Sequence, residues 1–125
     1  MVAVNDKSIL DNVKELVGVM PSETGFDEEI VSHINTVFGT LQQLGVGPVD
    51  GFEIEDNDPK WSEYLGDTKI LSMVKSYMKL RVRLLFDPPP TSFGITSFEN
   101  QIREFEGRLN IAVETPPREE LDILI

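Results

Sequence analysis

The side chains of this chain that could do chemistry are rich in carboxylates and poor in anything that would organise them. Its 125 residues hold 22 acids, 11 lysines and arginines, one histidine and no cysteine, for a net charge of −11. His33 is alone, so a metal pair or a relay to a nucleophile lacks its usual second member. It flanks an apolar helical stripe and reads as a surface or edge-of-core residue. Asp56-Asn57-Asp58 begins like a calcium loop, but Lys60 and Trp61 stand where a third oxygen ligand and the obligatory glycine belong. Gly45-Val46-Gly47 follows a helical pattern and not a strand, and it lacks the lysine or third glycine of a phosphate cradle. Nothing selects an acid/base pair from the remaining carboxylates. The residue types therefore point away from an enzyme, and no metal or cofactor is expected.

What the charges do display is segregation. Asp50, Glu53, Glu55, Asp56, Asp58, Glu63 and Asp67 share their segment with one cation, Lys60. Lys69, Lys75, Lys79, Arg81 and Arg83 follow with no acid among them. Neighbouring segments of opposite sign can complement each other within a subunit or between copies, or remain two solvated faces. Lys75, Lys79, Arg81 and Arg83, with Glu53, Glu55, Asp56 and Asp58, are the candidates for a contact between subunits. The net acidity excludes a free-standing duplex DNA binder, because phosphate neutralisation needs a basic surface. No aromatic residues interleave with the lysines to stack bases. Passing DNA could be tolerated without being read.

The elements that position these residues follow from hydrophobic spacing. A first helix capped at Asn5 or Asp6 carries Ile9, Leu10, Val13, Leu16 and Val17 until Gly18. Turn residues fill Pro21 to Gly25. A second helix opens at Asp27, with acids at its positive end, and runs an apolar stripe from Ile30 to Leu44; Gly45 is its C-cap. The acidic stretch from Val46 to Gly66 is loop-like. It holds one short helix with Asp58 as cap, Pro59 first, and Trp61 and Leu65 inward. A third main helix runs from Asp67 or Thr68 to Phe86, where Pro88 forbids continuation. Thr96-Ser97-Phe98-Glu99 reads as a capping box opening a fourth, which ends near Ile111 to Val113. The fold class is all-α: a small bundle of four main helices and one short helix in an acidic loop, over residues 1–113, with an extended C-terminal arm over 114–125. No run of eighteen apolar residues is present to span a membrane, and the N-terminus lacks the pattern of a signal peptide.

Two features are out of place. On the third main helix Ser72, Lys75, Ser76, Lys79 and Arg83 share one face while apolar residues cover nearly all the rest, so this helix should be central. Arg81 projects from the middle of that apolar arc, near Val74 and Leu85. It needs a partner, inside the subunit or at a contact with another chain, and the contact is the favoured reading. The arm is the second oddity. Pro116 and Pro117 detach it, and Leu121, Ile123, Leu124 and Ile125 make it aliphatic at the end. Extended, it reaches up to roughly 40 Å.

The order and wording of Ser8–Leu16, Asp27–Gly47 with its Leu-Gly-Val-Gly exit, Leu80–Pro89 and Phe98–Val113 resemble the head-tail connector, or head-completion adaptor, proteins of long-tailed bacteriophages. The resemblance implies a structural virion protein without enzymatic activity or cofactor, made in the host bacterial cytoplasm and located at the head-tail interface. It implies a homo-oligomeric ring of about twelve copies beneath the portal protein. That ring would extend the DNA channel, pass DNA without sequence-specific binding, and dock a stopper or next tail protein; no membrane is involved. In that setting Pro116, Pro117, Leu121, Ile123, Leu124 and Ile125 form a portal-docking arm, by strand addition to a portal sheet edge. The alternative from another class is a small helical protein-protein adaptor or regulator that forms no ring.

Overall fold

A computed structural model describes residues 6–114. Among them are five helices and no strand: α1 (Ile9–Leu16), α2 (Asp27–Gln43), α3 (Trp61–Tyr64), α4 (Thr68–Phe86) and α5 (Ser92–Glu114). The all-α expectation holds. The arm lies outside the described residues.

Helix ends follow from local chemistry, and three differ from the sequence reading. Ser8 caps α1, its hydroxyl accepting from the Asp11 amide at 3.3 Å. Asp6 is engaged elsewhere, accepting from the amide and hydroxyl of Ser62 at 3.1 and 2.7 Å. Those bonds hold its carboxyl below the usual carboxylate range. The short helix α3 starts two residues later than expected, at Trp61. The cause is pairing with the chain before α1: Ile9 N–H donates to Pro59 O at 2.9 Å and Trp61 N–H to Lys7 O at 3.2 Å. This draws Lys60 into an extended conformation and buries Tyr64 beside Trp61, with Leu65 partly buried against the same core as expected. Helix α5 starts six residues early, at Ser92. Thr91 follows the prolines directly, and its hydroxyl accepts from Gly94 N at 3.0 Å. That cap pre-empts the one read at Thr96-Ser97, which falls inside the helix.

The other ends agree with expectation. Asp67 caps α4 through bonds from the Lys69 and Ile70 amides at 2.9 and 3.1 Å. At the end of α2, Gly45 takes a φ of 87°. Gly45 N–H then donates to Gln42 O and Val46 N–H to Leu41 O, satisfying carbonyls that the helix end leaves open.

Helix α4 is central and packs against α1, α2 and α5. Val74, Tyr77, Met78, Leu80 and Val82 are its buried residues. They meet Ile30, Ile34, Val37, Phe38 and Leu41 of α2, Ile9, Leu10 and Val13 of α1, and Ile102 and Leu109 of α5 in one core. Each fully buried aliphatic contributes about 1.5–3 kcal/mol before entropy is counted, so this apolar layer fixes the bundle.

The acidic segment between α2 and α3 is irregular but anchored. The Asn35 amide makes two bonds to one residue, donating to Ile54 O and accepting from Ile54 N–H, both at 2.9 Å. Beneath the segment, Phe38, Phe52, Trp61 and Tyr64 form an aromatic layer with centroids 4.6–6.3 Å apart. Within that layer the Trp61 indole N–H donates to Asn12 Oδ1 at 2.9 Å in full burial. At Gly47, whose φ is 84°, an added Cβ would lie 2.5 Å from the Tyr64 ring. Only glycine fits there.

Candidate functional site

The cationic stripe of α4 divides into two parts. Lys75 and Lys79 face α1, where they border a groove of ≈ 510 Å³ together with Lys7, Asn12, Leu16 and Ser76. Lys75 Nζ lies 5.7 Å from the centre of the Trp61 ring, a cation–π contact that orients the ammonium. Arg83 stands apart. Its guanidinium lies 5.4 Å from the Phe98 ring on α5, and its Nε donates to Asp87 O at 3.4 Å.

The acidic residues of the segment between α2 and α4 are displayed to solvent. Glu53, Glu55, Asp56 and Asp58 are exposed, and Asp56 turns back to accept from the Asp58 amide at 2.9 Å. Glu53 borders a second groove, of ≈ 320 Å³, against Asn35, Gly39 and Gln42 of α2. Among the described residues no carboxylate comes within 4.0 Å of Lys75, Lys79 or Arg83, and no cation comes within that distance of Glu53, Glu55, Asp56 or Asp58. The two surfaces of opposite sign therefore do not neutralise each other inside one subunit.

Arg81 requires a correction. Its assignment to a neighbouring chain rested on an unpaired charge in an apolar arc, and the charge is paired internally. Arg81 Nη1 lies 3.3 Å from Glu106 Oε2 on α5, and the same oxygen accepts from the Tyr77 hydroxyl at 2.7 Å. The guanidinium also lies 5.7 Å from the Tyr77 ring. This triad ties α5 to α4. Glu106 falls one turn after Ile102 on the face of α5 that meets α4, which is the signal that could have named it as the partner.

Burial, reinforced by the bond to Glu106, raises the Tyr77 phenol above its ordinary value; burial alone does so for Tyr64. Both are neutral in the fold, so the stability they add is complete below the unfolded value of 10.0. It is lost as pH rises through the raised folded values. We expect the helical circular dichroism signal to hold at pH ~8 and fall progressively above pH ~10. Tyr77→Phe should make that decline shallower without moving its onset, because Tyr64 still titrates.

Sequence reading missed one buried ion pair. Lys14 is 1% exposed, with Nζ 2.7 Å from Asp27 Oδ1 and donating to Pro21 O at 2.9 Å. The signal was present: Lys14 stands four residues after Leu10 and three before Val17, on the apolar stripe itself. His33 sits on α2 with Nε2 3.5 Å from Glu29. Among the described residues no group of three or more His, Cys, Asp or Glu side chains could hold a metal ion. No described helix is long and apolar enough to cross a membrane. Pro116, Pro117, Leu121, Ile123, Leu124 and Ile125 lie outside the described residues.

No curated protein and no solved structure matches the chain. A family model for phage connector proteins matches residues 9–116. The match opens on the first residue of α1 and closes just beyond the last of α5, so it takes in the whole described bundle, and the chain belongs to the phage connector protein family.

Proposed function

We propose that this connector acts as a closed ring of identical copies beneath the portal, extending the DNA channel and presenting a surface to the stopper or next tail protein. The observation that carries the reading is the pair of exposed, oppositely charged surfaces left unpaired within one subunit. A contact between two different patches repeats from copy to copy and closes when the rotation allows. Twelve-fold symmetry, portal and stopper as partners, and residence in the virion are what the family resemblance contributes. The net charge of −11 suits this role, since it keeps free subunits apart in solution and discourages passing DNA from sticking.

The C-terminal arm is assigned to the portal. Leu121, Ile123 and Ile125 alternate with Asp122 and Leu124, a pattern that strand addition can use. The test is to add full-length protein, and a variant ending at Thr115, to portal-bearing heads and image both. Full-length protein should form a ring coaxial with the portal. The shortened protein should keep its helical spectrum and lose most of its binding to heads. Isolated copies bound without a ring would refute the ring, and undiminished binding of the shortened protein would refute the arm.

A further inference from the structure

We propose that the groove between α1 and α4 is the socket for the acidic segment 53–58 of a neighbouring copy. The inference rests on the ring reading and names its contact.

The socket is cationic and largely unsatisfied. Of its three ammonium groups, Lys75 and Lys79 have no carboxylate within 4.0 Å among the described residues, although the charge of Lys75 reaches Asp6, whose oxygens are taken by Ser62; Lys7 has only Glu15 at 3.4 Å, both side chains about half exposed. An exposed pair of that kind is weak and easily exchanged. Asn12 and Ser76 add polar groups between the lysines. Lys75 is held over Trp61, which Asn12 itself fixes, so its ammonium is positioned before any partner arrives.

The occupant is positioned too. Ile54 is buried and pinned by both bonds of the Asn35 amide, which leaves its neighbours Glu53 and Glu55 turned outward on either side. Asp56 and Asp58 follow in a turn closed by their own hydrogen bond. Holding both partners in place before they meet lowers the ordering cost of the contact.

A subunit does not fill its own socket. Glu53 borders the groove against α2, the lysines border the groove against α1, and within one subunit none of Glu53, Glu55, Asp56 and Asp58 lines the lysine groove or comes within 4.0 Å of its lysines. The occupant is therefore a second copy. Phosphate would also be drawn to these lysines, but a chain of net charge −11 repels a polyanion as a whole, while four carboxylates on a small loop match three lysines locally.

The decisive experiment uses the complete chain on portal-bearing heads, with ring formation imaged and copy composition measured by native mass spectrometry. Lys75→Glu with Lys79→Glu places acid against acid at every contact, and Glu53→Lys with Glu55→Lys cancels the net charge of the loop and sets two lysines against those of the socket. Each double variant should keep its helicity and lose ring occupancy by at least about tenfold, as expected for like charges at an interface. An equimolar mixture of the two should recover rings in which the variants alternate, because the introduced glutamates then face the introduced lysines and the native socket faces the native loop. All four changes in one chain should also recover rings. Lys75→Gln with Lys79→Gln, which adds no repulsion, should fall between wild type and reversal.

Normal rings from the reversed-lysine variant, or no recovery in either the mixture or the fourfold variant, would overturn the socket while leaving the ring intact. Normal rings that retain DNA poorly would overturn it in favour of a channel role for the lysines. Absence of a ring from the wild-type protein would overturn the ring reading and the socket with it.

Discussion

Replacing Asp27 with alanine should destabilise the protein by about 3–5 kcal/mol, read as a lower midpoint in denaturant followed by circular dichroism. Lys14 is the reason. Its ammonium is buried between α1 and the start of α2, and without Asp27 it keeps only the carbonyl of Pro21. A buried charge that loses its counter-ion retains its full desolvation cost. The chain as a whole is expected to be stable by about 5–15 kcal/mol, so this one change takes a large share. The converse change should be milder. Asp27 is one-third exposed and stands in the first turn of α2, where water and the positive helix end can hold its charge once Lys14 is gone. Lys14→Met fills the same space with an apolar chain. The double variant should therefore be far more stable than Asp27→Ala alone, and a double-mutant cycle would return a large coupling. Additive effects would show that the two side chains act independently.

Trp61→Ala should cost a comparable amount, about 3–5 kcal/mol, and should also disable the site. The ring is fully buried among Phe38, Tyr64 and the start of α1, so truncation opens a cavity that its neighbours fill only in part. Asn12, itself buried, is left without its donor. Trp61→Phe separates the two losses. It keeps most of the packing but still orphans the Asn12 amide, and it should cost about 1–3 kcal/mol. Lys75 loses its supporting ring in the alanine variant but not in the phenylalanine one. If the socket depends on that support, Trp61→Phe should assemble close to normally, while Trp61→Ala should assemble poorly even at temperatures where it is fully folded. Equal assembly by both would show that Lys75 needs no help from the ring.

Much of the bundle was legible because its signals are local. The apolar stripe of α2, the Asp67 cap and Pro88 after Phe86 each act within a turn of the residues that reveal them. The start of α5 was misread because two capping patterns lie within six residues of each other, and both fit the same rules. The one nearer the prolines acts first. Of the site, the stripe of Lys75 and Lys79 and the acidic run were plain in one dimension. Their separation into two grooves was not, since it depends on how α1 crosses α4. Arg81 and Lys14 make the same point from two sides. Each is a cation at an apolar position, a conflict visible in the sequence, but the resolving acids Glu106 and Asp27 sit on other helices.

The clamp between Asn35 and Ile54 has a consequence for how such a protein can diverge. A side-chain amide here substitutes for a neighbouring strand, and it fixes one residue of a long irregular segment. The exposed positions 53 and 55–58 can then change in size or sign without moving the bundle beneath. A lineage that meets a new neighbour can thus rewrite the displayed surface while the scaffold stays under separate selection. Variation should accumulate around positions 53 and 55–58 and stop abruptly at 35 and 54.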